Sequence, residues 1–166
     1  MKKFISFCTI TLVLSLITIP IGTYITIKLF GEVVDYTFKN DSFSEDKLIS
    51  YIKELRIKYP HIVLAQAKIE SGNYSSFIFK NNNNLFGMRH PKVRMTTSKG
   101  SKFKYAKYSS WRESLLDYAL YSATQIKNVS SEKEYYNFLG KVYAEDSSYT
   151  LIIKKTADKI KNDKVF

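Results

Sequence analysis

One carboxylate stands out in this sequence because of the helix on which it lies. Pro60 suits the first turn of a helix, since its missing N–H would be unpaired there anyway, and Gly72 suits a left-handed C-terminal cap. Most residues between them are apolar, so residues 60–72 predict a buried helix with Glu70 in its last turn. The helix dipole and the apolar neighbours both disfavour a charged carboxylate there and raise its pKa. A carboxylic acid that keeps its proton near neutral pH is what glycosidic bond cleavage requires.

Glu70 also has a plainer interpretation as a solvated residue at a helix end, and its spacing alone does not exclude that. Four segments of the chain bear on the choice. They are AQAKIESG at residues 65–72, NLFG at 84–87, YSSWRES at 108–114 and YAEDSSY at 143–149. In this order, over roughly residues 45–160, they resemble the glucosaminidase family, glycoside hydrolase family 73. Its bacterial and phage members are N-acetylglucosaminidases that cleave peptidoglycan.

The resemblance implies a fold and a set of site residues. The fold would be mainly α (α+β), a lysozyme-like helical domain with a small β-hairpin lobe. Glu70 would be catalytic as the acid, and Tyr143 through a hydroxyl that orients the acid or the substrate, although Tyr143 also suits a core position. Asn84, Tyr108 and Tyr149 would bind the glycan strand, Asn84 because the matching residue lies close to the acid in that family.

Residues 88–108 depart from the helical period. Aromatic residues alternate with basic ones, and residues 98–100 offer a turn, so the segment predicts a β-hairpin or flap. In the resembled family this region forms a small lobe over the substrate groove and often supplies a second carboxylate. Here no Asp or Glu occurs between Glu70 and Glu113, so the sequence lacks that group.

Three candidates remain for the group that assists the acid. The acetamido group of the substrate could attack the anomeric carbon, or a water held by Asn84 or Tyr143 could do so. Asp146 could act as a base, but it is more simply a cap for the last helix. The first two are favoured, and the sequence does not choose between them.

Capping residues predict where other helices begin and end. Ser110 and Glu113 form a capping box, so Glu113 is predicted to be a cap and not a catalyst. Ser131 begins a second such pattern, and Gly140 predicts the end of that helix. The four asparagines at residues 81–84 predict a polar loop.

The N-terminal segment predicts a membrane anchor. Lys2 and Lys3 precede an uncharged run, residues 4–27, which is long enough to cross a bilayer. It lacks the Ala-x-Ala pattern of a cleavage site, which favours an uncleaved anchor over a cleaved signal peptide. The lysines predict a cytoplasmic N-terminus, with the domain in the periplasm or facing the cell wall. Cys8, the one cysteine, lies in this run, so the exported part would have no disulfide.

The expected division is therefore an anchor at residues 1–30, a tether at 31–43 and a glucosaminidase domain at 44–166. No cofactor is expected, and no metal either, since the two histidines lack partners at metal-ligand spacing. The net charge of +11 suits an anionic partner, and the resemblance favours peptidoglycan glycan strands over nucleic acid. The oligomeric state is not indicated.

Two other functions fit parts of the pattern. A lytic transglycosylase or muramidase of the same fold also works with one glutamate. A membrane-anchored wall-binding module without catalysis would have no need to hold an acid at Glu70.

Overall fold

The computed structural model describes residues 42–142 and 147–166, and within them the chain forms six α-helices and one small sheet. In chain order the elements are α1 (Glu45–Glu54), α2 (Pro60–Glu70), α3 (Phe77–Asn82), β1 (Ser101–Lys102), β2 (Tyr105–Ala106), α4 (Trp111–Gln125), α5 (Glu132–Val142) and α6 (Ser147–Asn162). The strands β1 and β2 are antiparallel, with Ser101 opposite Ala106. The prediction of a mainly helical domain with a small hairpin is confirmed.

The predicted membrane helix falls in residues 1–41, outside the described residues. Within the ranges that the structure describes, no helix combines the length and apolar character needed to cross a membrane.

The core is built around α2. Its residues 61–67 are all buried, as expected for a helix that is apolar on every side. The helix packs mainly against α6, which contributes the buried Ile153 and Ala157, while α1 contributes Leu48 and Ile52. This packing fixes the axis of α2, and so it fixes where its last residue, Glu70, emerges.

The end of α2 is set by the glycine cap that the sequence predicted. Gly72 has a φ of +57°, a conformation that glycine adopts without a steric penalty. The Asn73 N–H donates to the Lys68 carbonyl at 2.7 Å, and the Gly72 N–H donates to the Ile69 carbonyl at 3.1 Å. These two bonds form a Schellman motif, which stops the helix directly after Glu70.

The predicted cap on α4 is also confirmed. The Ser110 hydroxyl accepts from the Glu113 N–H at 3.3 Å, and the Glu113 carboxylate accepts from the Ser109 N–H at 2.8 Å. Ser131 accepts from the Glu134 N–H in the same way before α5. Glu113 therefore caps the N-terminus of α4, as the sequence predicted.

Two predicted boundaries were wrong. Asn82 is buried at the end of α3, and Asn83, with a φ of +53°, is its left-handed cap. The four asparagines are thus partly helical, because the Ser76 cap starts a helix that buries Phe79. Gly140 does not end α5, which continues to Val142. Packing outweighs the low helix propensity of glycine in this case.

The hairpin lobe is shorter than predicted and turns at another place. Phe103 and Lys104 occupy the turn with φ values of +54° and +67°, not residues 98–100. Two hydrogen bonds hold the lobe: the Asn82 side-chain amide donates to the Lys102 carbonyl at 2.7 Å, and the Ala106 backbone N–H donates to the Met88 carbonyl at 2.8 Å. The second contact attaches the lobe to the loop that follows Asn84.

Candidate active site

Glu70 and Tyr149 meet although 79 residues separate them in sequence. Glu70 is the last residue of α2, and Tyr149 lies in the first turn of α6. The Tyr149 hydroxyl donates a hydrogen bond to Glu70 Oε1 at 2.6 Å. The packing of α6 along α2 thus places a phenol on one oxygen of the carboxyl group and leaves the other oxygen for another partner.

Two opposing effects act on the proton of Glu70. Burial raises the pKa of Glu70, because removal from water penalises the charged form. The hydrogen bond from Tyr149 lowers that pKa, since it stabilises the carboxylate. Burial is the larger effect, so the pKa lies above the ordinary glutamate value. A carboxyl group with a raised pKa keeps its proton to a higher pH than an ordinary glutamate does, and it can deliver that proton to a leaving oxygen.

The other oxygen, Oε2, faces the loop after α3. A Cβ atom added to Gly87 would lie 3.4 Å from Glu70 Oε2, and Gly87 has a φ of +62°. Glycine is therefore favoured here both by backbone conformation and by the closeness of the acid. This gives a physical reason for a glycine after the sequence Asn-Leu-Phe, next to the Glu70 carboxyl group.

Asn84 holds that loop from within the fold. Its side-chain amide N–H groups donate to the carbonyls of Met88 and Ala106, both at 2.9 Å, and its Oδ1 accepts from the N–H groups of Phe86 and Met88. The side chain is 1% exposed. These four bonds use the donors and the acceptor of Asn84 within the fold, and they hold the loop beside Glu70. The predicted substrate contact of Asn84 stays a prediction.

Tyr108 is also buried and hydrogen-bonded within the fold. It is 1% exposed, and its hydroxyl donates to Asp117 Oδ2 at 2.7 Å. Asp117 is fully buried, and it also pairs with Arg94. Tyr108 therefore belongs to an internal polar cluster. Tyr149, also predicted to bind substrate, contacts Glu70. The substrate-binding roles of both tyrosines stay predictions.

A cleft of about 470 Å³ opens beside the acid. It is lined by Gln66, Glu70, Phe86, Gly87, Met88, Arg89, Arg94, Tyr118, Tyr121, Phe138, Leu139 and Val142. Arg94 belongs to the segment that was predicted to cover the groove, and Met88 carries the backbone contact to the hairpin. Among the described residues, Glu70 is the only carboxylate of this lining.

The inner wall of the cleft is a hydrogen-bonded cluster. Gln66, one helical turn before Glu70, accepts at Oε1 from the hydroxyls of Tyr118 and Tyr135, which also bond to each other. Phe86 stacks on Tyr118 with the ring centroids 4.1 Å apart. The sequence analysis missed these residues, although Gln66 lies in the same motif as Glu70 at helical i, i+4 spacing.

Tyr143 and Asp146 fall in residues 143–146, outside the described residues, so their predicted roles stay predictions. The described ranges contain no group of three or more His, Cys, Asp or Glu side chains placed to hold a metal ion. His61, one of the two histidines, lies 3.2 Å from Glu132 instead.

Comparison with known proteins agrees with the fold. Residues 46–162 match the model of the family described as Glucosaminidase, mannosyl-glycoprotein endo-beta-N-acetylglucosaminidase. A solved structure, the catalytic domain of the autolysin Auto from Listeria monocytogenes, aligns with a TM-score of 0.50 at 21% identity. The alignment covers 82% of this chain and 96% of that one, and at this identity it shows a likeness of fold. No curated protein matches the chain.

Proposed function

The chain belongs to the glucosaminidase family, and from that premise we propose that it cleaves peptidoglycan glycan strands at the N-acetylglucosaminyl β-1,4 linkage. The proposed mechanism uses Glu70 as its one general acid. Family membership makes the protein a glycosidase of the peptidoglycan hydrolase class; the linkage and the mechanism are the proposal.

The state of Glu70 is the observation that carries this proposal. Its pKa is raised by burial, it lies on the cleft, and its Oε1 is occupied by the Tyr149 hydroxyl. With Oε1 accepting from Tyr149, the acidic proton belongs on Oε2, the oxygen next to Gly87. From there Glu70 protonates the glycosidic oxygen as the bond to the anomeric carbon breaks.

The group that attacks the anomeric carbon belongs to the substrate or is a water molecule. Among the described residues, no second carboxylate lines the cleft, and the hydrogen-bonding groups of Asn84 are already used within the fold. This favours attack by the acetamido group of the substrate, or by a water held by Tyr143. The first route retains the anomeric configuration because it inverts the carbon twice, whereas direct attack by water inverts it once. Proton NMR of the freshly formed reducing end distinguishes the two routes.

The test of the acid is Glu70→Gln in the full-length protein on purified peptidoglycan. Activity should fall by roughly 10²–10⁴-fold, which is the usual contribution of positioned acid catalysis. The matched control is Glu113→Gln, because Glu113 caps a helix and should affect stability more than activity. If Glu70→Gln remains active while a folded Glu113→Gln is inactive, the acid lies on α4 and this proposal is wrong.

Mass spectrometry of the products separates the proposal from its alternatives. Hydrolysis adds water and leaves N-acetylglucosamine at the reducing end. A lytic transglycosylase leaves an anhydro sugar that is lighter by one water, and a muramidase leaves muramic acid at the reducing end. A binding module without catalysis releases no fragments while still sedimenting with the wall.

We also propose that residues 4–27 keep the protein in the membrane, with the domain on the outer side facing the wall. The support is the uncharged run after Lys2 and Lys3. Alkaline carbonate washing of membranes should leave the protein in the pellet at full length. Release of a shortened protein would mean that the segment is a cleaved signal.

A further inference from the structure

Arg94 is held in the cleft by a buried carboxylate. Asp117, which is fully buried, accepts from Arg94 Nη1 at 2.6 Å and from Nη2 at 2.9 Å, and it also accepts from the Tyr108 hydroxyl. The guanidinium additionally lies over the Tyr121 ring, with Cζ 5.8 Å from its centroid. A long and flexible side chain is thus fixed in one orientation on the cleft wall.

This fixed guanidinium has one carboxylate-binding edge filled and one open. A guanidinium presents two such edges, the pair of Nη groups and the pair formed by Nε and Nη2. Asp117 fills the first, and the remaining Nη1 proton goes to the Met95 carbonyl at 2.8 Å. Within the part of the chain that the structure describes, the hydrogen bonds of Arg94 leave Nε and the second Nη2 proton without a partner, and the side chain is 19% exposed. The open edge has the geometry of a second carboxylate site.

The charges around this edge also suit one further anion. Arg94 and Asp117 neutralise each other, and Arg89, which also lines the cleft, leaves one positive charge. Both arginines line the same cleft as Glu70.

We propose that the open edge of Arg94, together with Arg89, forms a subsite for a carboxylate carried by the glycan strand. The inference rests on the proposed function, since it specifies which glycan this cleft accepts. Two carboxylates of peptidoglycan have this chemistry: the lactyl group of a muramic acid without a stem peptide, and the carboxylates of the stem peptide itself. The substrate would then be an acidic glycan, and a neutral oligomer of N-acetylglucosamine would be a poor one.

The test compares matched strands with the full-length protein. Stem-free strands with free lactyl carboxylates are assayed beside the same strands converted to methylamides, and peptide-bearing strands beside their amidated form. The wild type should prefer at least one carboxylate form by about 10- to 100-fold in kcat/KM, the range expected for a bidentate charge-assisted contact. The pair that shows the preference identifies the source of the carboxylate. Equal rates within both pairs would overturn the proposal.

Variants assign that preference to the arginines. Arg89→Gln should reduce the ratio of kcat/KM between the carboxylate and amidated strands. Arg94→Gln combined with Asp117→Asn should bring that ratio close to one. The two changes are combined because Arg94→Gln alone would leave Asp117 as an unpaired buried charge. Because the readout is a ratio, partial loss of folded protein lowers both rates and cancels. Lys133→Gln removes one exposed positive charge from α5 outside the cleft lining and should keep the wild-type ratio. A ratio unchanged in both arginine variants contradicts the assignment.

A binding measurement separates this proposal from the proposed function. Full-length Glu70→Gln is titrated in a calorimeter with the stem-free disaccharide and with a muropeptide, each beside its amidated form. A preference of about 10-fold that disappears on the arginine changes would support the subsite even if no strand is cleaved. Equal affinities within both pairs would refute the subsite even if the enzyme proves to be a hydrolase.

Discussion

Removal of the Tyr149 hydroxyl tests the core of the proposed site, because Tyr149→Phe deletes the hydrogen bond to Glu70 and keeps the aromatic ring. The bond is short, 2.6 Å between the Tyr149 hydroxyl oxygen and Glu70 Oε1. In the protonated state that acid catalysis needs, it joins two neutral groups and contributes about 1 kcal/mol. If all of this serves to position the acid, kcat should fall by about fivefold at the pH where Glu70 is fully protonated.

The pH dependence gives a second and sharper expectation. Activity of the wild type should decline as pH rises through the pKa of Glu70, because the ionised form cannot donate a proton. The Tyr149 hydrogen bond lowers that pKa by stabilising the carboxylate. Without the hydroxyl the pKa rises further, so the declining limb of the profile should move to higher pH. The variant should therefore be at its greatest disadvantage at low pH and recover relative to the wild type as pH increases.

The assay is the rate of reducing-end formation on purified peptidoglycan, measured across the pH range for both proteins. The matched control is Tyr136→Phe on α5, whose hydroxyl is buried with no hydrogen-bond partner within the described residues. It should leave the pH profile in place. If activity instead rises with pH through the pKa of Glu70, Glu70 works in its ionised form and the assignment of the acid is wrong. If neither rate nor profile changes, the hydroxyl does not act on Glu70.

Four further changes have distinct expected outcomes. Because the pKa of Glu70 is raised in the folded state, its contribution to the unfolding free energy is fully present below the ordinary value of 4.5 and is lost as pH rises through the raised pKa. Thermal melts should therefore show the stability of Glu70→Gln increasing relative to the wild type as pH rises. A stability difference that does not change with pH would show that burial does not destabilise the Glu70 carboxylate. Gly87→Ala should cost about 1 kcal/mol in unfolding free energy because of its positive φ, and activity should fall beyond that loss because the new methyl group meets Oε2; an active, unstrained variant would show that the loop does not approach the acid. Asn84→Ala should lower the unfolding free energy by roughly 1–3 kcal/mol for each buried backbone group left unpaired. A variant with a wild-type melt and a raised KM would instead show that Asn84 contacts the substrate. Urea unfolding of Glu113→Ala should show a loss of about 1 kcal/mol with activity per folded molecule retained, and inactivity of the folded variant would contradict its role as a cap.

The sequence by itself determined the features whose signals are local. Pro60 and Gly72 marked the two ends of the acid-bearing helix because they act on the backbone within a few residues. Glu70 could be singled out, and the direction of its pKa shift predicted, because a helix made mostly of apolar residues is expected to be buried and burial raises the pKa of a carboxyl group. The capping role of Glu113 was equally readable, since its partners lie within four residues. The family resemblance added the identity of the site but not its contacts.

The tertiary structure alone decided which way the motif side chains point. Asn84 and Tyr108 lie in the motifs that resemble the family, yet both side chains point into the fold. The Asn84 amide bonds to backbone carbonyls of the lobe and its loop, and the Tyr108 hydroxyl bonds to the buried Asp117. The contact between Tyr149 and Glu70 depends on how α6 packs along α2, and no local pattern encodes that packing. The open edge of Arg94 likewise exists only because a buried carboxylate on another element fills the opposite edge, a long-range arrangement that residue types and spacing do not specify.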